Sequence, residues 1–117
     1  MVEQIIRECM EKGFFAQQQH GEVYQVMIPG VRGINGVIQV PNGLDLRHAR
    51  DFIMTAQELK IKDAYVVNYG KRRYGSNRSI LSLVGTGTPY RTPVSIVANH
   101  GITDEKLQAL YLKLIGF

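Results

Sequence analysis

The 117-residue chain has no tryptophan, only four prolines and a single cysteine, Cys9. One thiol can neither close an internal disulfide nor furnish a four-ligand zinc site by itself. No apolar run approaches the roughly 18 residues that cross a bilayer, so no membrane partner is expected. The opening MVEQIIRECMEK carries acids where a secretory signal would be basic and then apolar. A reducing, cytoplasmic setting follows as the expectation. Histidine is scarce too. His20, His48 and His100 share no H-x-H or H-x-x-x-H spacing, and no metal is expected. No acidic pair stands on a strand as magnesium-dependent nucleases require, and no serine sits in a nucleophile elbow. Cys9 falls on an apolar helical stripe with nothing beside it to lower its pKa. The expectation is a protein without cofactor or enzymatic activity; a small hydrolase would need a pocket gathering His48 or His100 with a carboxylate.

What is present is ordinary globular material. Hydrophobic residues make up 44% and charged residues 21%, close to the averages for folded domains. A chain of this size buries roughly two-thirds of its surface on folding, enough for a core without staples. The expectation is one domain over residues 1–117.

Charge is less ordinary. The net +4 is not spread evenly along the chain. Residues 1–59 hold five basic and seven acidic side chains, and residues 92–117 balance. Residues 60–91 hold seven basic side chains against Asp63 alone. A field concentrated in this way favours phosphate-rich partners more than a diffuse one.

Periodicity divides the chain into elements. Val2, Ile5, Ile6, Cys9 and Met10 form one helical stripe, closed by Gly13. EVYQVMI and INGVIQV (34–40) read as an antiparallel hairpin joined through PGVRG. Asp45 is placed to cap a second helix whose apolar face is Leu46, Ala49, Phe52, Ile53, Ala56 and Leu59. AYVVNY (64–69), SILSLV (79–84) and VSIVAN (94–99) read as three strands, with GKRRYGSNR and GTGTPYRTP between them. Thr103 caps a last helix with the stripe Leu107, Leu110, Tyr111 and Leu114, ended by Gly116. The predicted fold is a single α+β domain of order α-β-β-α-β-β-β-α, a mostly antiparallel sheet with packed helices. That order is similar to profilin-like modules of the roadblock type, whose subunits pair through sheet or helix edges; the resemblance implies a homodimer.

Tyr69, Lys71, Arg72, Arg73, Tyr74, Asn77 and Arg78 lie on the end of one strand and the loop leaving it. Arginines fork onto phosphate oxygens and tyrosines stack on unpaired bases. Arg91, beside Tyr90, repeats the pairing on the next connection. In a three-strand meander successive connections lie at opposite ends, so these two loops are not expected to share a surface. The reading is a basic nucleic-acid-binding accessory protein, with DNA and RNA undistinguished. The alternative is a protein–protein module, a homodimer or a binder of an acidic protein, using the same loop or an edge strand. Gly30-Val31-Arg32-Gly33 has the GxxG form of a backbone clamp but joins strands where such loops join helices; Arg32 would add one phosphate contact. Gly85-Thr86-Gly87-Thr88 lacks the lysine and following helix of a phosphate loop.

Overall fold

Runs of β-branched and aromatic residues alternate between two faces, and five of them assemble into one antiparallel sheet. The computed structural model describes residues 2–11, 24–28, 31–68, 70–99 and 101–115. Their elements are α1 (Val2–Glu11), β1 (Tyr24–Ile28), β2 (Val31–Val37), α2 (Leu46–Glu58), β3 (Ala64–Asn68), β4 (Arg73–Ser76), α3 (Ile80–Val84), β5 (Pro93–Asn99) and α4 (Asp104–Ile115). Spatial order in the sheet is β1-β2-β5-β3-β4. The α+β class and the antiparallel sheet are as the sequence predicts.

Alternation along the strands feeds two cores. Ala64, Val66, Val94, Ile96 and Ala98 face α2 and α4, where they meet Phe52, Ala56, Leu107 and Leu110. Tyr65, Val67, Val97 and Val31 face the opposite way and pack with Ile6 of α1. The described, buried parts of the α1, α2 and α4 stripes are therefore what covers the sheet. Two capping residues do what the sequence predicts. Asp45 accepts from the His48 backbone N–H at 3.0 Å, and the Thr103 hydroxyl accepts from the Lys106 N–H at 3.3 Å.

The structure corrects three local expectations. First, β2 begins at Val31 and pairs Val31 with Ile28. Val31, Arg32 and Gly33 are strand residues and not part of the connection. Second, Ser79–Val84 is a capped helix: the Ser79 hydroxyl accepts from the Ser82 N–H at 3.2 Å. Its apolar residues Ile80, Leu83 and Val84 sit at helical spacing and turn to the core. Third, the fourth strand lies inside what reads as a loop, at Arg73–Ser76. The cause is topological. β5 inserts between β2 and β3 and runs parallel to β4, so the chain leaving β4 must travel back before β5 can start, and parallel strands need such a crossover. Leu46 is a smaller departure; expected on the apolar face of α2, it is 58% exposed, while Thr55 is buried in that helix. The expected caps Gly13 and Gly116, the side chains of Cys9, Met10 and Leu114, and His20 and His100 lie outside the described residues.

α3 packs against β4 and reaches its outer edge at one point. The Ser76 N–H donates to the Ser82 hydroxyl at 3.0 Å, so one edge donor is covered. Contact this close needs a residue without a side chain at position 75. A Cβ on Gly75 would lie 2.6 Å from both Leu83 Cα and the Ser82 carbonyl oxygen. Gly75→Ala is expected to lower stability by about 1–3 kcal/mol in chemical denaturation, the usual cost of forcing packed backbone apart. Gly101→Ala is the control, because a Cβ there meets nothing within 4 Å.

Candidate functional site

The return path through α3 carries both basic connections to one end of the sheet. β3 and β4 pair Asn68 with Arg73, with residues 70–72 in the turn between them, and residues 85–92 lead into β5 at the same end. This overturns the expectation of opposite ends, which assumed three strands in a meander.

One buried amide holds the two connections together. Asn68 is 2% exposed. Its Nδ2 donates to the Thr86 carbonyl at 3.1 Å and more distantly to the Gly87 carbonyl at 3.4 Å. Its Oδ1 accepts from the Lys71 N–H at 3.4 Å. The Lys71 side chain lies over Gly87, with Nζ 2.9 Å from where a Cβ would stand. Arg73 Nη1 donates to the Gly85 carbonyl at 3.3 Å. A third segment joins them: the Ile38 N–H donates to Thr92 O, the Arg91 N–H to Ile38 O, and the Leu44 N–H to Thr88 O, all at 2.8–2.9 Å.

Lys71, Arg72, Arg73 and Arg91 are all exposed on this end. Among the described residues none of the four has a carboxylate partner; the ion pairs are Arg7–Glu3, Arg32–Asp104, His48–Asp45 and Arg78–Asp63. The Arg91 guanidinium sits over the Tyr90 ring, 5.1 Å from its centroid, and that ring is 42% exposed. Arg72 and Arg91 hold left-handed backbone, with φ of 53° and 69°.

Other residues predicted for the site are used by the fold. The Tyr74 hydroxyl donates to Glu3 Oε1 at 2.6 Å and accepts from Arg7 Nε at 2.7 Å, and its ring meets Tyr65 edge-on at 6.0 Å. It anchors α1 and does not offer a free stacking face. Asn77 lies past the far end of β4, where its Oδ1 accepts from the Ala64 N–H at 3.2 Å and its Nδ2 donates to the Ile61 carbonyl at 3.3 Å. Arg78 pairs with Asp63 at 2.6 Å. Tyr69 lies outside the described residues. Arg32, expected as one phosphate contact, donates to the Ile102 carbonyl at 2.9 Å and pairs with Asp104, fastening β2 to the start of α4.

Two further groups have structural duties. The Thr86 hydroxyl donates to the Leu83 carbonyl at 2.6 Å and lies 3.3 Å from that of Thr88, both buried. The GTGT loop thus turns its hydroxyls inward. His48 Nδ1 sits 2.9 Å from Asp45 Oδ1, a histidine–carboxylate contact at a helix cap. The His48 backbone N–H, followed by its ring, holds the Asp45 carboxyl below the ordinary range. Among the described residues no three His, Cys, Asp or Glu side chains group as a metal site. Nor is any described helix long and apolar enough to cross a membrane.

Sequence reasoning missed Asn68. Its signal is a polar side chain ending the run AYVV, at a position whose alternation calls for an apolar residue facing α3. Compared with known protein families, with curated proteins and with solved structures, the chain gives no match.

Asn68→Ala leaves the Thr86 carbonyl without its buried donor and is expected to cost about 1–3 kcal/mol in denaturant unfolding. It should also increase amide exchange in both connections. A second expectation concerns alkaline pH. Burial raises the Tyr65, Tyr74 and Tyr111 phenols above their ordinary value, with the Glu3 contact adding to the shift at Tyr74. The folded chain therefore holds protons that the unfolded chain releases. Stability from these groups is complete below about pH 10 and is lost as pH rises through the folded values. Denaturant midpoints measured across that range should fall, and Tyr74→Phe should make the fall shallower.

Proposed function

We propose that this protein binds nucleic acid without catalysing a reaction, in a cytoplasm-like compartment. Lys71, Arg72, Arg73 and Arg91 contact the phosphate backbone, and Tyr90 offers the surface on which an unpaired base stacks. The observation that carries this reading is the convergence of four exposed cations, free of carboxylate partners among the described residues, from two separate connections at one end of the sheet.

A lone basic loop is adequately explained as solubilising surface or as protection of a sheet edge. Two features argue for more. Part of the β4 edge is already covered where the Ser76 N–H donates to Ser82, so the cations are not its sole protection. The cations also project from loops fixed by buried hydrogen bonds, which lowers the entropy lost when a partner orders them. Arginine forks suit phosphate oxygens, and an aromatic face beside an arginine suits single strands, where bases are free to stack.

The test is a salt titration of binding to single- and double-stranded oligonucleotides by fluorescence anisotropy. Replacing Lys71, Arg72 and Arg91 with alanine should weaken binding about equally for all sequences. It should also make the slope of log affinity against log salt shallower by about 2, since each lost single-strand phosphate contact contributes about 0.7. Tyr90→Ala should cost about 1–3 kcal/mol on single strands while leaving that slope unchanged. Unchanged affinity and slope in the triple variant would sink the reading and leave an acidic protein as the partner of this surface.

A further inference from the structure

The opposite end of the sheet carries a cavity of about 260 Å³ between the α2–β3 and β5–α4 connections. Lys60 and Lys62 line it from the first connection, and Gly101, Thr103 and Lys106 from the second. We propose that this cavity is a second anion site, which takes the terminal phosphates of a small phosphorylated molecule through Lys60, Lys62 and Lys106. It is separate from the Lys71–Arg91 surface, which lies at the other end of β3, and does not depend on the function proposed for that surface.

The charged lining of the cavity supports this assignment. Among the described residues none of the three lysines has a carboxylate partner. Of the acids that flank them in sequence, Asp63 pairs with Arg78 and Asp104 with Arg32, while Glu58 and Glu105 are not among the residues lining the cavity. Asp104 and Glu105 occupy the first turn of α4 and offset its dipole, while the charged side chains that line the cavity are Lys60, Lys62 and Lys106. A phosphomonoester carries about −1.5 to −2 at neutral pH, so three ammonium groups match a phosphomonoester or a diphosphate. Lysine, a compact point charge on a flexible stem, suits terminal phosphate. The volume falls just below the roughly 300–1,000 Å³ of sites for drug-sized ligands, which fits a phosphate group with a short organic part.

Backbone conformation supplies an independent argument. α2 ends with the Lys60 N–H donating to the Gln57 carbonyl at 3.1 Å and the Ile61 N–H donating to the Ala56 carbonyl at 2.8 Å. This is the paired closure of a Schellman motif, whose left-handed position normally belongs to glycine. Here that position is Lys60, with φ of 57°. A lysine is strained at a position glycine fills freely, and it is the residue that brings a cation to the cavity wall.

That strain also provides the test. Lys60→Gly removes one cation and relieves the left-handed conformation, so it should raise the melting temperature while weakening the ligand. The full chain, labelled with ¹⁵N, would be titrated with inorganic pyrophosphate and with a nucleoside diphosphate. Amide shifts are expected to concentrate at residues 60–62 and 101–106 and to saturate with a dissociation constant of about 1 mM or lower. Lys60→Gly and Lys106→Ala should each weaken binding by about tenfold. The Lys71, Arg72 and Arg91 triple-alanine variant should bind pyrophosphate as the parent does. Shifts at residues 60–62 and 101–106 that fail to saturate, or unchanged affinity at those residues in the better-folded Lys60→Gly variant, would each overturn the proposal.

Discussion

The primary amide of Asn68 is the contact on which the basic end of this molecule depends. It is nearly inaccessible to water, and burying an amide without partners costs several kcal/mol. Its partners are the backbone of two connections, donating to Thr86 and Gly87 and accepting from Lys71. Each loop therefore satisfies the side chain that fixes the other. Lys71 and Arg72 on one loop and Arg91 on the next keep a defined spacing because an unsatisfied amide is the alternative.

That arrangement follows from the strand order. Because β5 lies between β2 and β3, two crossovers are required: β2 to β3 through α2, and β4 to β5 through α3. The second is very short. Five residues of helix bring the chain back, and Gly75 lets that helix rest directly on β4. The helix covers one edge donor of β4 and delivers the 85–92 connection beside the turn that joins β3 to β4. A meander with the same five strands would place the two cationic loops a strand length apart, roughly 15 Å at about 3.3 Å per residue. Topology, more than composition, makes one surface out of two loops.

Much of the scaffold is legible in the sequence because its signals are local. Asp45 and Thr103 announce helix starts by capping chemistry, and the β-branched and aromatic runs at 64–69 and 94–99 announce strands. Ser79–Val84 defeats the reading because a short apolar run satisfies both periods, and only the need to return toward the start of β5 decides between them. The candidate site fails for a related reason. Residues 69–78 look like one loop, but the chain turns back into β4 at Arg73, so Asn77 and Arg78 emerge at the far end, where Ala64 and Asp63 engage them. Tyr74 is taken by Glu3 and Arg7, about seventy positions away in sequence. No nearest-neighbour rule anticipates that contact.

The left-handed positions tie the two ends together. Among the described residues three non-glycine residues hold positive φ, namely Lys60, Arg72 and Arg91, and each is a cation. Basic residues are 14 of 117, so composition alone does not place one at every such position. Each conformation is strained by about 1–2 kcal/mol relative to glycine, and glycine or asparagine would serve the turn geometry better. Strain retained at a tight turn points to a use for the side chain. What the three have in common is that each carries a positive charge on a backbone that hydrogen bonds hold in place. At Arg72 and Arg91 those bonds run through Asn68 and Ile38; at Lys60 they are the closing bonds of α2. A surface whose cations served solubility alone would gain nothing from such fixation, since solvated charge works equally well on a mobile, unstrained loop.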